Sequence, residues 1–112
     1  MRNIMVDQRH DDRCPVRIPM VYWGKEFLGQ GTVIDLSPRG LFVVGNDPVE
    51  SGTEIRGLLF LPSDTEPLYI YRALVRWTRG IEFGVEILTI AASERARLEA
   101  VIAEAVLQRE VP

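Results

Sequence analysis

The sequence predicts an all-β fold, an antiparallel barrel or sandwich, followed by one C-terminal helix. Three observations lead there. Short apolar runs, several of them alternating with polar residues, recur up to about residue 90, the pattern of half-buried strands. Clusters of Gly, Pro, Asn and Ser break those runs at short intervals, as turns between antiparallel strands require. The apolar spacing then switches to the period of a helix for the rest of the chain. The length of 112 residues allows one domain, 1–112, rather than two.

Residues 1–13, MRNIMVDQRHDDR, hold three arginines and three aspartates with little periodicity and are expected to form a flexible polar arm. From Cys14 to Trp23 the residues Val16, Ile18, Met20 and Tyr22 alternate against Arg17 and Val21, so this is a strand with one face inward. Pro15 and Pro19 place it at a sheet edge or an irregular start, since proline donates nothing to a ladder. Gly24-Lys25-Glu26 is a hairpin-type break, and Phe27–Ile34 a second strand. Ser37-Pro38-Arg39-Gly40 is a turn before a third strand, Leu41–Val44. Glu54–Leu61, Leu68–Thr78 and Gly80–Leu88 complete the set, the last two separated by a tight turn at Arg79-Gly80. From Ser93 to Arg109, Leu98, Val101, Ile102, Ala105 and Val106 fall on one helical stripe. Ser93 is placed to cap that helix, with Glu94 in its first turn. The expected division is therefore an arm over 1–13, a barrel over 14–90 and a helix over 91–110.

Composition excludes several classes. The chain is 46% hydrophobic and 26% charged, which is ordinary for a folded domain and wrong for disorder. No apolar stretch approaches the ~20 residues of a membrane span, and the first residues lack the apolar core of a secretory signal. Cys14 is alone, so no internal disulfide forms, and with His10 the only histidine no Cys/His zinc site is expected. A reducing cytoplasm is the expected compartment. The net charge of −3 argues against non-specific nucleic-acid binding, which depends on many cations. It argues also against a single-stranded nucleic-acid reader using Trp77, Tyr69 and Tyr71 as stacking groups. No phosphate loop with lysine, HExxH or G-x-S-x-G occurs, and Cys14 with His10 lacks an orienting third group, so neither catalysis nor a cofactor is expected.

Two short patterns remain. Arg9-His10-Asp11-Asp12-Arg13 is R-x-x-x-R, and Asp35-Leu36-Ser37-Pro38-Arg39-Gly40 is D-x-S-x-x-G at the end of a strand. The second is sufficiently explained as a turn: Asp and Ser bind local amides, Pro sets φ, and Gly supplies a positive φ.

In this order and at this distance, with strands following and a SERARLEAVI helix at the end, the two patterns together resemble the PilZ family. The resemblance spans about Asp7 to Leu107. It implies a six-stranded antiparallel β-barrel and a non-enzymatic receptor for the bacterial second messenger cyclic di-GMP. It also implies a binding set of Arg9, Arg13, Asp35, Ser37 and Gly40. The chemistry suits such a ligand. A guanidinium meets guanine O6 and N7 with two hydrogen bonds and also serves phosphate. A carboxylate such as Asp35 accepts from the guanine N1–H and N2–H₂ donors. Ser37 would bond a phosphate or a base, and Gly40 would permit close approach.

Gln8 stands where relatives often carry a further arginine, which points to a single bound ligand molecule. Arg39 is a supplementary phosphate contact. Trp77 reads first as core and second as a platform for a guanine. The arm would close over the ligand and present a new surface to an effector protein. Asp11 and Asp12 cancel the arm's charge and motivate the alternative, an adaptor of the same fold that binds no nucleotide.

Overall fold

The computed structural model describes residues 13–62 and 64–110. Six strands form: β1 (Cys14–Trp23), β2 (Leu28–Leu36), β3 (Gly40–Gly45), β4 (Glu54–Leu59), β5 (Leu68–Arg79) and β6 (Glu82–Thr89). One helix, α1 (Ala92–Glu110), follows. The strands close into a barrel in the order β1-β2-β3-β6-β5-β4, and every neighbouring pair is antiparallel.

Alternation, reset where the register shifts in β2 and β5, decides what faces inward. Ile18, Met20 and Tyr22 of β1, Leu41 and Val43 of β3, and Phe83, Val85 and Ile87 of β6 are buried together with Val33, Leu36, Ile55, Leu59, Ile70 and Val75. No polar or charged residue is buried among the described ones. The interior is an apolar plug, the normal filling of a small barrel, and leaves the chemistry to the outer wall and the turns. Arg17, Arg56 and Arg72 are exposed on strand faces, Arg72 because β5 shifts register between it and Ala73.

Several expectations are corrected. Of the two places its prolines allow, β1 takes the irregular start and not the sheet edge: Met20–Trp23 pair with β4 on one side and with β2 on the other. Its prolines precede the β4 ladder. Pro15 borders an irregularity that ends at Ile18, and Pro19 contributes only its carbonyl, which accepts from the Phe60 amide at 2.9 Å. β4 ends at Leu59, not Leu61, and β6 begins at Glu82, because Gly80 turns the chain with φ +62°. β2 extends to Leu36, and β3 starts at Gly40. Gly40 itself does not have positive φ; among the described residues only Gly52 and Gly80 do.

Ser93 is not the cap of α1. The helix opens at Ala92, and the Ala91 carbonyl already accepts from the Arg95 amide at 2.8 Å. What fastens the first turn is long-range. The Glu94 carboxylate accepts from the Tyr69 amide of β5 at 3.1 Å. Arg97 binds Asp64 at 2.9 Å and Glu94 at 2.7 Å, and donates to the Glu66 carbonyl at 2.6 Å. These carboxylates hold the Arg97 guanidinium above its ordinary pKa. Leu98 is fully buried on the barrel, with Val101 and Ile102 partly buried behind it. Beyond them α1 runs along a groove of about 610 Å³ whose other wall includes Pro15, Val16 and Ile18. Among the described residues, no helix is long and apolar enough to cross a membrane.

Candidate functional site

The site is built on register. Asp35 of β2 lies opposite Phe42 of β3, Phe42 opposite Gly84 of β6, and Gly84 opposite Trp77 of β5. One row across four strands therefore carries a carboxylate, a phenyl ring, a bare backbone and an indole. Phe42 alternates with buried Leu41 and Val43, so the row faces outward. Gly84 is what lets the indole lie down: a Cβ there would run into Trp77 Nε1, Cε2 and Cδ1. The ring reaches across to Phe42 and meets it edge to face, with centroids 4.9 Å apart and planes at 85°, a favourable quadrupole geometry. Trp77 is still 40% exposed, so it is not the core residue that the sequence suggests first.

Arg13 closes one side. It directly precedes Cys14, and Cys14 pairs with Leu36. This register carries the Arg13 side chain to Asp35, where the guanidinium and Asp35 Oδ2 are 3.0 Å apart. Asp35 Oδ1 is buried and accepts no hydrogen bond among the described residues. A buried acceptor without a donor is costly, and this one can take an N–H from a bound group.

The turn after β2 is closed by its own hydrogen bonds. Ser37 N donates to the Gly40 carbonyl at 3.0 Å, and Gly40 N returns to the Ser37 carbonyl at 3.4 Å. Ser37 Oγ accepts from the Gly40 amide at 3.1 Å and the Arg39 amide at 3.4 Å. The hydroxyl thus shapes the turn as well as bordering the site. Gly40 is demanded by contact rather than by φ, since a Cβ would meet the Val85 carbonyl oxygen on the neighbouring strand.

Arg13, Asp35, Ser37, Gly40 and Trp77 line one cavity of about 260 Å³, together with Phe42, Gly84, Arg76 and Glu86. Arg39 is exposed and does not line it; its carbonyl accepts from the Ile87 amide at 2.8 Å. The expected contacts of Gln8 and Arg9 lie outside the described residues. Sequence reasoning missed Phe42, Gly84, Arg76 and Glu86. Gly84 carried a signal: a glycine inside a strand marks a close approach. Arg76, whose Nε donates to Glu86 Oε1 at 2.6 Å, carried none, because the pairing depends on the irregularity between Val75 and Trp77.

The other aromatic residues do not extend the site. Tyr69 stacks on Trp23 of β1, with centroids 6.4 Å apart, and Arg56 of β4 sits 4.7 Å above the Tyr71 ring. They belong to the β1–β4–β5 wall, so Trp77, Tyr69 and Tyr71 make no continuous stacking strip. Among the described residues, no group of three or more His, Cys, Asp or Glu could hold a metal ion.

A cation, a carboxylate with an open acceptor and an aromatic face around one cavity suit a planar heterocycle that carries N–H donors and an anionic substituent. The family model described as PilZ domain matches residues 7–104. No curated protein sequence matches the chain. Among solved structures, the inhibitor of motility MotI/DgrA of Bacillus subtilis superposes with a TM-score of 0.73 at 21% identity, covering 88% of this chain. This chain spans about half of that one, 51%. The PilZ domain of CeSA from a cellulose-synthesizing bacterium superposes with a TM-score of 0.64 at 18% identity, covering 88% of this chain and 98% of its own.

Proposed function

This chain belongs to the PilZ domain family, a family of cyclic di-GMP-binding domains, and on that premise we propose that it is a non-enzymatic cyclic di-GMP receptor acting through an effector protein. The observation that carries this reading is the convergence of Arg13, Asp35 and Trp77 on one cavity. In the proposed complex a guanine lies on the indole of Trp77. Its N1–H and N2–H₂ edge donates to Asp35, where Oδ1 is open. Arg13 turns from Asp35 to a phosphate or to O6 and N7 of a guanine, and Arg9 from the arm supplies the second guanidinium. The turn amides are already committed to Ser37, so Ser37 and Gly40 act by holding the rim in shape and letting the ligand come close.

The Arg13–Asp35 pair is half exposed on its arginine side. Exposed ion pairs are worth only about 0–1 kcal/mol, whereas a bidentate guanidinium–guanine contact discriminates by about 1–3 kcal/mol. Rearranging the pair is therefore cheaper than the contacts it releases.

Titration calorimetry of the full chain with cyclic di-GMP tests the reading. Binding at micromolar concentrations or tighter is expected, weakened at least tenfold in Arg9→Ala, Arg13→Ala and Asp35→Asn. Absence of binding at low ionic strength would overturn it. The closed Arg13–Asp35 pair favours one other reading, an adaptor whose arginine is satisfied internally. That adaptor would capture its partner equally with and without nucleotide, and equally in Arg13→Ala.

A further inference from the structure

The turn from Ser37 to Gly40 has two sides. One borders the cavity. On the other, every backbone carbonyl is taken. Ser37 and Gly40 bond each other's amides, and the Arg39 carbonyl accepts from Ile87 of β6. All three bonds lie within the barrel. The fourth does not: the Pro38 carbonyl accepts from the guanidinium of Arg95 in the first turn of α1.

We propose that Arg95 is a positioning residue that couples the occupancy of the site to the seating of α1 on the barrel. The proposal rests on the cyclic di-GMP reading and names a route by which that site is reported to the rest of the molecule. Arg95 sits one turn before Leu98, the fully buried anchor of the helix. It also lies between Glu94, bound to the Tyr69 amide, and Arg97, bound to Asp64. The first turn of α1 is thus a stiff node, tied at once to β5, to the loop before β5 and to the ligand turn. A displacement of Pro38 passes to that node through one charge-assisted hydrogen bond. Past Leu98 the helix is only partly buried beside its groove, so its far half has room to respond. Coupling of this kind is reciprocal: whatever holds α1 against the barrel also holds the turn in its binding shape.

Hydrogen exchange of the full chain, followed by NMR with and without cyclic di-GMP, tests this in wild type, Arg95→Met and Arg95→Lys. Methionine keeps the apolar stem and removes the donors, while lysine restores a cation. In wild type the ligand is expected to change exchange along 98–106. In Arg95→Met the Arg39 and Gly40 amides should exchange faster even without ligand, affinity should fall about tenfold, and α1 should no longer respond. Arg95→Lys should recover part of each effect. Equal affinity in wild type and Arg95→Met, with α1 indifferent to ligand in both, would overturn the proposal. If wild type binds no cyclic di-GMP, the receptor reading fails on its own. The ligand-free exchange of Arg39 and Gly40 then still decides the tether: unchanged rates in Arg95→Met would refute it.

Discussion

Trp77 owes its position to a residue that has no side chain. Gly84 clears the space that the indole occupies, and Phe42 holds the indole's far edge. Gly84→Ala therefore acts on the site without touching the core. The added methyl must push the indole off the strand, where it has solvent to move into. Red-shifted tryptophan emission, with a melting temperature close to wild type, is the expected signature. Cyclic di-GMP affinity should drop about tenfold, in line with the ~1–3 kcal/mol that base–aromatic stacking contributes. Unchanged emission and affinity would show that the indole does not serve as a platform. Arg13 and Asp35 were reached through the family resemblance that the two motifs carry together. Gly84 offered only the signal of a glycine inside a strand, and Phe42 none, because their roles arise only when β3, β6 and β5 lie side by side.

Among the elements, α1 was the most legible and the least completely so. Its stripe of Leu98, Val101, Ile102, Ala105 and Val106 follows directly from the 3.6-residue period, and all five are buried or partly buried. The start of the helix escaped the same reasoning. Local capping chemistry pointed to Ser93, yet the first turn is fixed by Tyr69, Asp64 and Pro38, partners distant in sequence. Leu98 carries the packing. Leu98→Ala should cost about 2–4 kcal/mol of stability by lost transfer energy and a residual cavity, read from urea unfolding. A loss under about 1 kcal/mol would mean that the helix is not docked as described. The β strands were found within a few residues, and their ends moved where a turn glycine or a neighbouring strand imposed the limit.

At the scale of the whole molecule, the closed barrel buries Tyr22 between two other aromatic rings. That ring meets Phe83 edge-on at 5.3 Å and Phe27 at 6.5 Å. A Cβ on Gly45 or Gly29 would strike it. Burial pushes the Tyr22 phenol above its ordinary value of 10.0. The consequence for stability has a definite sign. Below pH ~10 the phenol is neutral in both folded and unfolded chains and contributes no pH dependence. Above that, the unfolded chain releases the proton while the folded one retains it, so stability falls as pH rises through the folded value. The melting temperature should decline as pH rises above about 10, and Tyr22→Phe should flatten that decline. Parallel curves for the two proteins would contradict it.

Beside the site roles of Arg13 and Asp35, which the family resemblance implied, the sequence by itself determined the all-β class, the count and order of the strands, and the helical stripe. Each is written in local periodicity or in spacing along the chain, and such signals survive without knowledge of neighbours. Beyond the barrel that the family resemblance implied, only the tertiary structure decided that β1 lies beside β4, that Trp77 lies on Gly84 rather than in the core, and that Arg95 reaches the ligand turn. Those facts depend on register between strands and on contacts between distant segments, where a shift of one residue reverses which face a side chain occupies.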